Sequence, residues 1–148
     1  MTPARWIASG GGIGWFPVAP GTLASVAAVA IGAVALWFGH HALPVLAVAA
    51  CLLGWWAVHA SAEPGDPGWI VIDEFAGQWI ALLGLTHVSW PGLIAAFVLF
   101  RIFDISKLGP VGWAERRHGA FGVMADDVVA GLISAVLLIV AARFFTVL

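Results

Sequence analysis

An all-α fold, a polytopic membrane bundle of about five helices of which two are short, is what this sequence predicts. Three observations carry the prediction. Hydrophobic residues fill 62% of the 148 positions against 9% charged, and the mean hydropathy of +1.03 far exceeds the apolar share of a water-soluble domain. The apolar residues come in long runs broken by short turns such as Ala19-Pro20-Gly21 and His40-His41, the punctuation expected between membrane helices. The few acids are placed selectively: Asp73, Glu74, Asp104, Asp126 and Asp127 lie at the ends of apolar runs, while Glu63, Asp66 and Glu115 fall in segments that read as loops. One domain, residues 1–148, has room for about four or five helices of roughly 20 residues each and none for an additional soluble domain.

The first helix is expected over Thr22 to Phe38, opened by Pro20-Gly21 with Thr22 placed to cap the first exposed amides. His40-His41 turns the chain, and Leu43 to Ala60 returns as the second. A shorter third helix runs from about Asp73 to Leu85. Thr86 to Pro91 turns it, and Pro91 to Lys107 forms the fourth with proline suitably at its start. The fifth spans about Asp126 to Phe145, after a stretch, His118 to Met124, that reads as a flexible glycine-bearing turn. At about thirteen and seventeen residues, helices three and four reach only some 20 and 25 Å against a hydrocarbon core near 30 Å, so they are expected to be tilted, re-entrant or shielded by the others. Met1 to Ile7 runs at once into Ser9-Gly10-Gly11-Gly12, without the apolar core and cleavage site of a signal peptide, and is expected to be retained. Trp37, Trp90 and Trp113 fall near the ends of apolar runs, as aromatic belts do. Cys51, the single cysteine, excludes an intrachain disulfide and reads as a small buried hydrophobe.

The basic residues orient the chain. Arg101, Lys107, Arg116 and Arg117 gather between helices four and five, and Arg5 precedes helix one, which predicts a cytoplasmic location for that side. Five spans traced from an inside amino terminus put every acidic residue on that same face, and leave the opposite face with short turns bearing His40, His41, His87 and Trp90. The net charge of −2 is too close to neutral to indicate a partner, and nothing points to nucleic acid.

Buried carboxylates are costly unless a metal, a cation or water receives them. Asp73-Glu74 begins a helix, with Gly77 and Gln78 following on the same faces, so a neighbouring helix or a ligand can come close. The bland reading is capping at the positive end of a helix dipole, and it explains one acid better than two. Arg101, Asp104 and Lys107, spaced three apart, can face one ligand together, a carboxylate flanked by cations that suits a phosphate near a metal. Snorkelling accounts for Lys107 but not for Asp104. Asp127, Gly131 and Ser134 share a narrow face on which small residues permit close packing. Gly10-Gly11-Gly12-Ile13-Gly14 and Ala19-Pro20-Gly21-Thr22 can present backbone amides to a phosphate, though without a Walker lysine or a flanking strand. His118 reads as an interfacial histidine, with a role as general acid the sharper alternative.

Taken together, Phe16-Pro-Val-Ala-Pro-Gly-Thr22, Ile70-Val-Ile-Asp-Glu-Phe-Ala-Gly-Gln-Trp-Ile80, Phe100-Arg-Ile-Phe-Asp-Ile-Ser-Lys107 and Gly122-Val-Met-Ala-Asp-Asp-Val-Val-Ala-Gly131 strongly resemble the phosphatidylglycerophosphatase A family in order and spacing, over almost the whole chain. The chain departs from the family pattern at Leu108-Gly109-Pro110-Val111, where Pro-x-Pro-Ile is more usual, and at Gly119-Ala120, where Gly-Gly is common. The resemblance implies a bacterial inner-membrane lipid phosphatase that is Mg²⁺-dependent and converts phosphatidylglycerophosphate to phosphatidylglycerol at the cytoplasmic face. Asp73, Glu74, Asp104, Asp126 and Asp127 are then the candidate metal and catalytic residues, and Thr22, Arg101 and Lys107 the candidates for substrate phosphate. Mg²⁺ suits such a carboxylate set and commonly shares its shell with phosphate. Attack by water and attack by an aspartate are both compatible with these residues. A cation channel or transporter is the alternative from another class, but it wants acids near the midplane or along a through-path. A pure assembly protein, to which Gly32, Gly54 and Gly131 would suit, leaves the acidic motifs unexplained.

Overall fold

The computed structural model describes residues 1–39, 41–62 and 67–145; His40, Glu63 and Asp66 lie outside them. Seven α-helices and no strand occur among the described residues. Five are the helices expected: α2 (Pro20–Phe38), α3 (Ala42–Ser61), α4 (Ile72–Leu82), α5 (Trp90–Ser106) and α7 (Gly119–Ala141). Two six-residue helices lie outside the five expected, α1 (Pro3–Ala8) in the amino-terminal segment and α6 (Pro110–Glu115) in a segment that reads as a loop. Each starts on a proline, and each is held by packing, α1 on α3 and α6 on α7. Glu115 is therefore the last residue of a helix.

Helices α2, α3 and α7, of 19, 20 and 23 residues, are long and apolar enough to cross a membrane. Each turns a stripe of small residues inward, such as Ala24, Ala28 and Gly32 on α2 and Ala47, Ala50, Gly54 and Ala57 on α3, and leaves large apolar side chains such as Val34, Leu52 and Ile139 outward, the pattern of a helix bundle bathed in lipid. The 11-residue α4 is too short to span, at about 16 Å, and the bundle shields it. Asp73 and every residue from Phe75 to Leu82 are buried, with α2, α3, α5 and α7 packed around them. Trp79 Nε1 donates to the Ala28 carbonyl of α2 at 2.9 Å.

The crossing of α4 and α7 positions the site. A Cβ added at Gly131 would run into the Gly77 carbonyl oxygen and lie 3.0 Å from its carbon, and one added at Gly77 would come 2.5 Å from the Asp127 carbonyl oxygen and from the Phe100 ring. Two glycines thus let the backbones touch, as the small-residue face around Asp127 and Gly131 predicts.

Two boundaries differ from expectation in ways that matter. Helix α7 begins at Gly119, seven residues before Asp126, so His118 to Met124 is not a flexible turn and Asp126-Asp127 does not open the helix. Gly122 is in that helix for close approach: a Cβ there would collide with the Arg117 carbonyl. Thr22 is not a cap either, because α2 starts at Pro20 after Ala19 in a left-handed conformation (φ 47°) with no side-chain cap.

Candidate functional site

The start of α4, the end of α5 and the first half of α7 deliver their acidic side chains to one place. Asp73 and Glu74 sit in the first turn of α4, where the helix dipole favours negative charge. Asp104 is buried at the end of α5, and Asp126 and Asp127 are buried about two turns into α7. Oxygen atoms of Asp73, Glu74 and Asp127 all lie within 4.8 Å of one another. The other two acids hold the cations: Arg101 Nη1 forms a close ion pair with Asp104, while Lys107 Nζ lies 3.2 Å from Asp104 Oδ1 and 2.5 Å from Asp126 Oδ2. Asp104 and Asp127 also interact, so the two sets form one cluster.

Backbone geometry locks this arrangement. The Glu74 amide donates to Asp73 Oδ1 at 3.1 Å, and the Asp127 amide to Asp126 Oδ1 at 3.0 Å, which fixes one carboxylate of each pair. Lys107 ends α5 in a left-handed conformation (φ 49°), a strained setting for a side chain with a Cβ, and from there its ammonium bridges α5 to α7. Burial works against that ammonium, but the hydrogen bond to Asp126 and the charges of Asp126, Asp127 and Asp104 outweigh it, so Lys107 is held above its ordinary range and stays protonated.

The start of α2 closes the site. Thr22 Oγ1 accepts from Arg101 Nη2 at 3.5 Å, and Gly21 packs so close to the Glu74 carboxylate that a Cβ there would overlap it. The Gly10 to Gly14 tract plays no such part. The amides of Gly10, Gly11, Gly12 and Gly14 all donate within the turn itself, and a Cβ at Gly14 would collide with the Trp69 carbonyl. These glycines fold the amino-terminal segment under the entry to α4, where Trp15 stacks on Trp69 at 4.7 Å.

A cation fits these residues. Five carboxylates face two cations, three of the carboxylates converge within 4.8 Å of one another, and Glu74 Oε2 is buried with no hydrogen-bond partner. An all-oxygen donor set of this kind suits a hard divalent ion. One turn below Glu74 on the same face of α4, Gln78 is fully buried with both amide atoms unpartnered by the chain, at a cost of about 1–3 kcal/mol. The polar site therefore extends inward beyond the acids. That Gln78 lies beneath Glu74 is legible in the sequence only as a four-residue spacing. Glu115, Arg117 and His118, which bound a cavity beside Asp126, gave no pattern that joined them to the acids.

The cluster also bears on the channel reading. A through-path would string acids along the bundle, whereas these five meet in one cluster where the start of α4 and the end of α5 reach α7.

Fold and cluster together define a helical membrane protein with a buried centre of carboxylates and cations. The profile of the family described as Phosphatidylglycerophosphatase A matches residues 6–142, and the chain belongs to that family and is a phosphatase. It is 37% identical to Phosphatidylglycerophosphatase A of Escherichia coli (strain K12) over 137 residues, covering 90% of this chain and 80% of that one. It is likewise 37% identical to Phosphatidylglycerophosphatase A of Haemophilus influenzae over 150 residues, 98% and 91% of the two chains. A Bacteroides thetaiotaomicron protein with the provisional name phosphatidylinositol-3-phosphatase is 41% identical over 145 residues, 91% of each chain. No solved structure matches.

Proposed function

We propose that this phosphatase hydrolyses the terminal phosphomonoester of phosphatidylglycerophosphate, giving phosphatidylglycerol and inorganic phosphate, with Mg²⁺ as cofactor, at the cytoplasmic face of a bacterial inner membrane. The observation that carries the reading is the buried convergence of Asp73, Glu74 and Asp127 beside the Arg101 and Lys107 cations, in a chain similar to phosphatidylglycerophosphatases over nearly its whole length.

Asp73, Glu74 and Asp127 would hold the ion. Bound there, Mg²⁺ supplies charge neutralisation and Lewis acidity at the phosphoryl group. Arg101 and Lys107 orient the phosphate and offset the charge that spreads over its oxygens in the transition state. Asp104 and Asp126 keep those two side chains in register, so little reorganisation is needed when substrate arrives. Thr22 anchors the Arg101 guanidinium to the start of α2. In the net reaction the bond from phosphorus to the glycerol oxygen breaks, water supplies the oxygen that replaces it, and the departing alkoxide gains a proton.

The substrate is tested by incubating the purified protein with phosphatidylglycerophosphate in mixed micelles and following the lipid by mass. A one-to-one conversion to phosphatidylglycerol is expected. Unchanged lipid under every divalent cation would remove this substrate. Sidedness is tested in a Cys51→Ser background with single cysteines at His41 and Arg116. The two are expected to react with an impermeant reagent from opposite sides of the membrane, Arg116→Cys from the cytoplasm; labelling of both from one side would overturn the orientation.

A further inference from the structure

Beside the cluster, between the end of α6 and the start of α7, lies a polar cavity of about 230 Å³ whose wall includes Glu115, Arg117, His118, Gly119, Gly122 and Asp126. We propose that this cavity binds the phosphodiester and glycerol portion of the lipid headgroup, and that Arg117 selects substrates that carry a phosphodiester in addition to the phosphomonoester. The inference rests on the function proposed above.

Contiguity with the cluster is direct. Asp126 is part of the cavity wall, and its Oδ2 lies 2.5 Å from Lys107 Nζ, so a ligand whose phosphomonoester reaches Lys107 continues into this space. The volume is that of about eight waters, enough for a glycerol and one phosphate group. The corner is rigid: Arg117 N donates to the Ala114 carbonyl at 2.9 Å, and a Cβ at Gly122 would strike the Arg117 carbonyl.

The charges in the wall determine which part of the ligand belongs there. Glu115 and Asp126 disfavour a bare anion and suit the hydroxyl groups of a polyol. Arg117 is the cation in this wall, whereas Arg101 and Lys107, held by Asp104 and Asp126, face the phosphomonoester. It has no carboxylate partner among the described residues. Its guanidinium instead rests over the Trp113 ring, 4.2 Å from the centroid, which holds the planar fork in place and leaves its donors free for a phosphodiester. In phosphatidylglycerophosphate the two phosphates are joined through a single glycerol, so one molecule can place its phosphomonoester at Lys107 and its phosphodiester at Arg117. Phosphatidate, whose only phosphate is the phosphomonoester, cannot occupy both.

Two measurements test this. The first is the ratio of kcat/KM for phosphatidylglycerophosphate to that for phosphatidate, in the parent, Arg117→Gln and Arg117→Lys. Loss of one charge-assisted contact predicts a fall in that ratio of roughly 10- to 100-fold in Arg117→Gln, with partial recovery in Arg117→Lys. A merely structural role would slow both substrates in parallel, and an unchanged ratio overturns the proposal. The second needs no turnover: glycerophosphoglycerol, which carries the phosphodiester and no phosphomonoester, should raise the unfolding temperature of the parent and not of Arg117→Gln. Equal shifts in both, or none in either, overturn the subsite even if the parent hydrolyses phosphatidylglycerophosphate. Binding of this probe without any hydrolysis would instead count against the proposed function and leave the subsite standing.

Discussion

Asp73→Asn and Asp127→Asn are each expected to lower phosphate release by on the order of a thousandfold while leaving the protein folded and inserted. The substitution is nearly isosteric and removes one negative charge from the group in which Asp73, Glu74 and Asp127 converge. A divalent ion loses affinity, and the phosphoryl charge loses the group that would offset it. Stability is expected to hold or improve, because each variant also relieves repulsion among buried carboxylates. Asp104→Asn and Asp126→Asn should behave differently, since those carboxylates partner Arg101 and Lys107, and removing either leaves a partly buried cation short of its counter-charge. The check is steady-state phosphate release alongside thermal unfolding in detergent. Activity near the parental level in both Asp73→Asn and Asp127→Asn would place the metal elsewhere.

Gly131→Leu is expected to disable the protein through its frame. A Cβ at Gly131 would meet the Gly77 carbonyl oxygen, with the Gly77 carbon and Cα 3.0 and 3.1 Å away. These obstacles are backbone atoms of a helix buried on nearly all sides, so neither helix can yield by a rotamer change. Overpacking of this kind costs about 3 kcal/mol, and relief requires α4 and α7 to part, which separates Asp73 and Glu74 from Asp127. Lower unfolding temperature and weaker Mg²⁺ stabilisation should therefore appear together, with Gly131→Ala intermediate in both. Parental stability and activity in Gly131→Leu would contradict the contact between the two glycines.

The same crossing shows what could be read from the sequence and what could not. Hydropathy located the five principal helices, because apolar runs bounded by proline and glycine leave little choice. It failed at Gly119 to Met124, where two glycines in a short stretch resemble a turn. There Gly122 serves a close approach to Arg117 inside a helix, and only the tertiary neighbour reveals that. Helices α1 and α6 are too short to show a period of their own and depend on α3 and α7 for support. Within the site, the types and spacings of Asp73-Glu74, Arg101, Asp104, Lys107 and Asp126-Asp127 marked the residues that meet. Their division did not follow from spacing. Lys107 pairs with Asp126 across nineteen positions, and Glu74 meets Asp127, because Gly77 and Gly131 bring two helices into contact. The glycine tract from Gly10 to Gly14 shows the opposite error: its composition suits a phosphate loop, yet its amides are consumed by its own turn.

The central claim is that a divalent cation at Asp73, Glu74 and Asp127 acts on the same phosphate as Arg101 and Lys107. The most direct test is phosphate release from phosphatidylglycerophosphate by the purified protein as Mg²⁺ is titrated, withdrawn with excess chelator and restored. The account predicts saturable dependence on Mg²⁺, loss of turnover in chelator and recovery on readdition, with the Mg²⁺ requirement shifted to higher concentration in Glu74→Gln. Full turnover in excess chelator, or a Mg²⁺ dependence identical in Glu74→Gln and the parent, would contradict it.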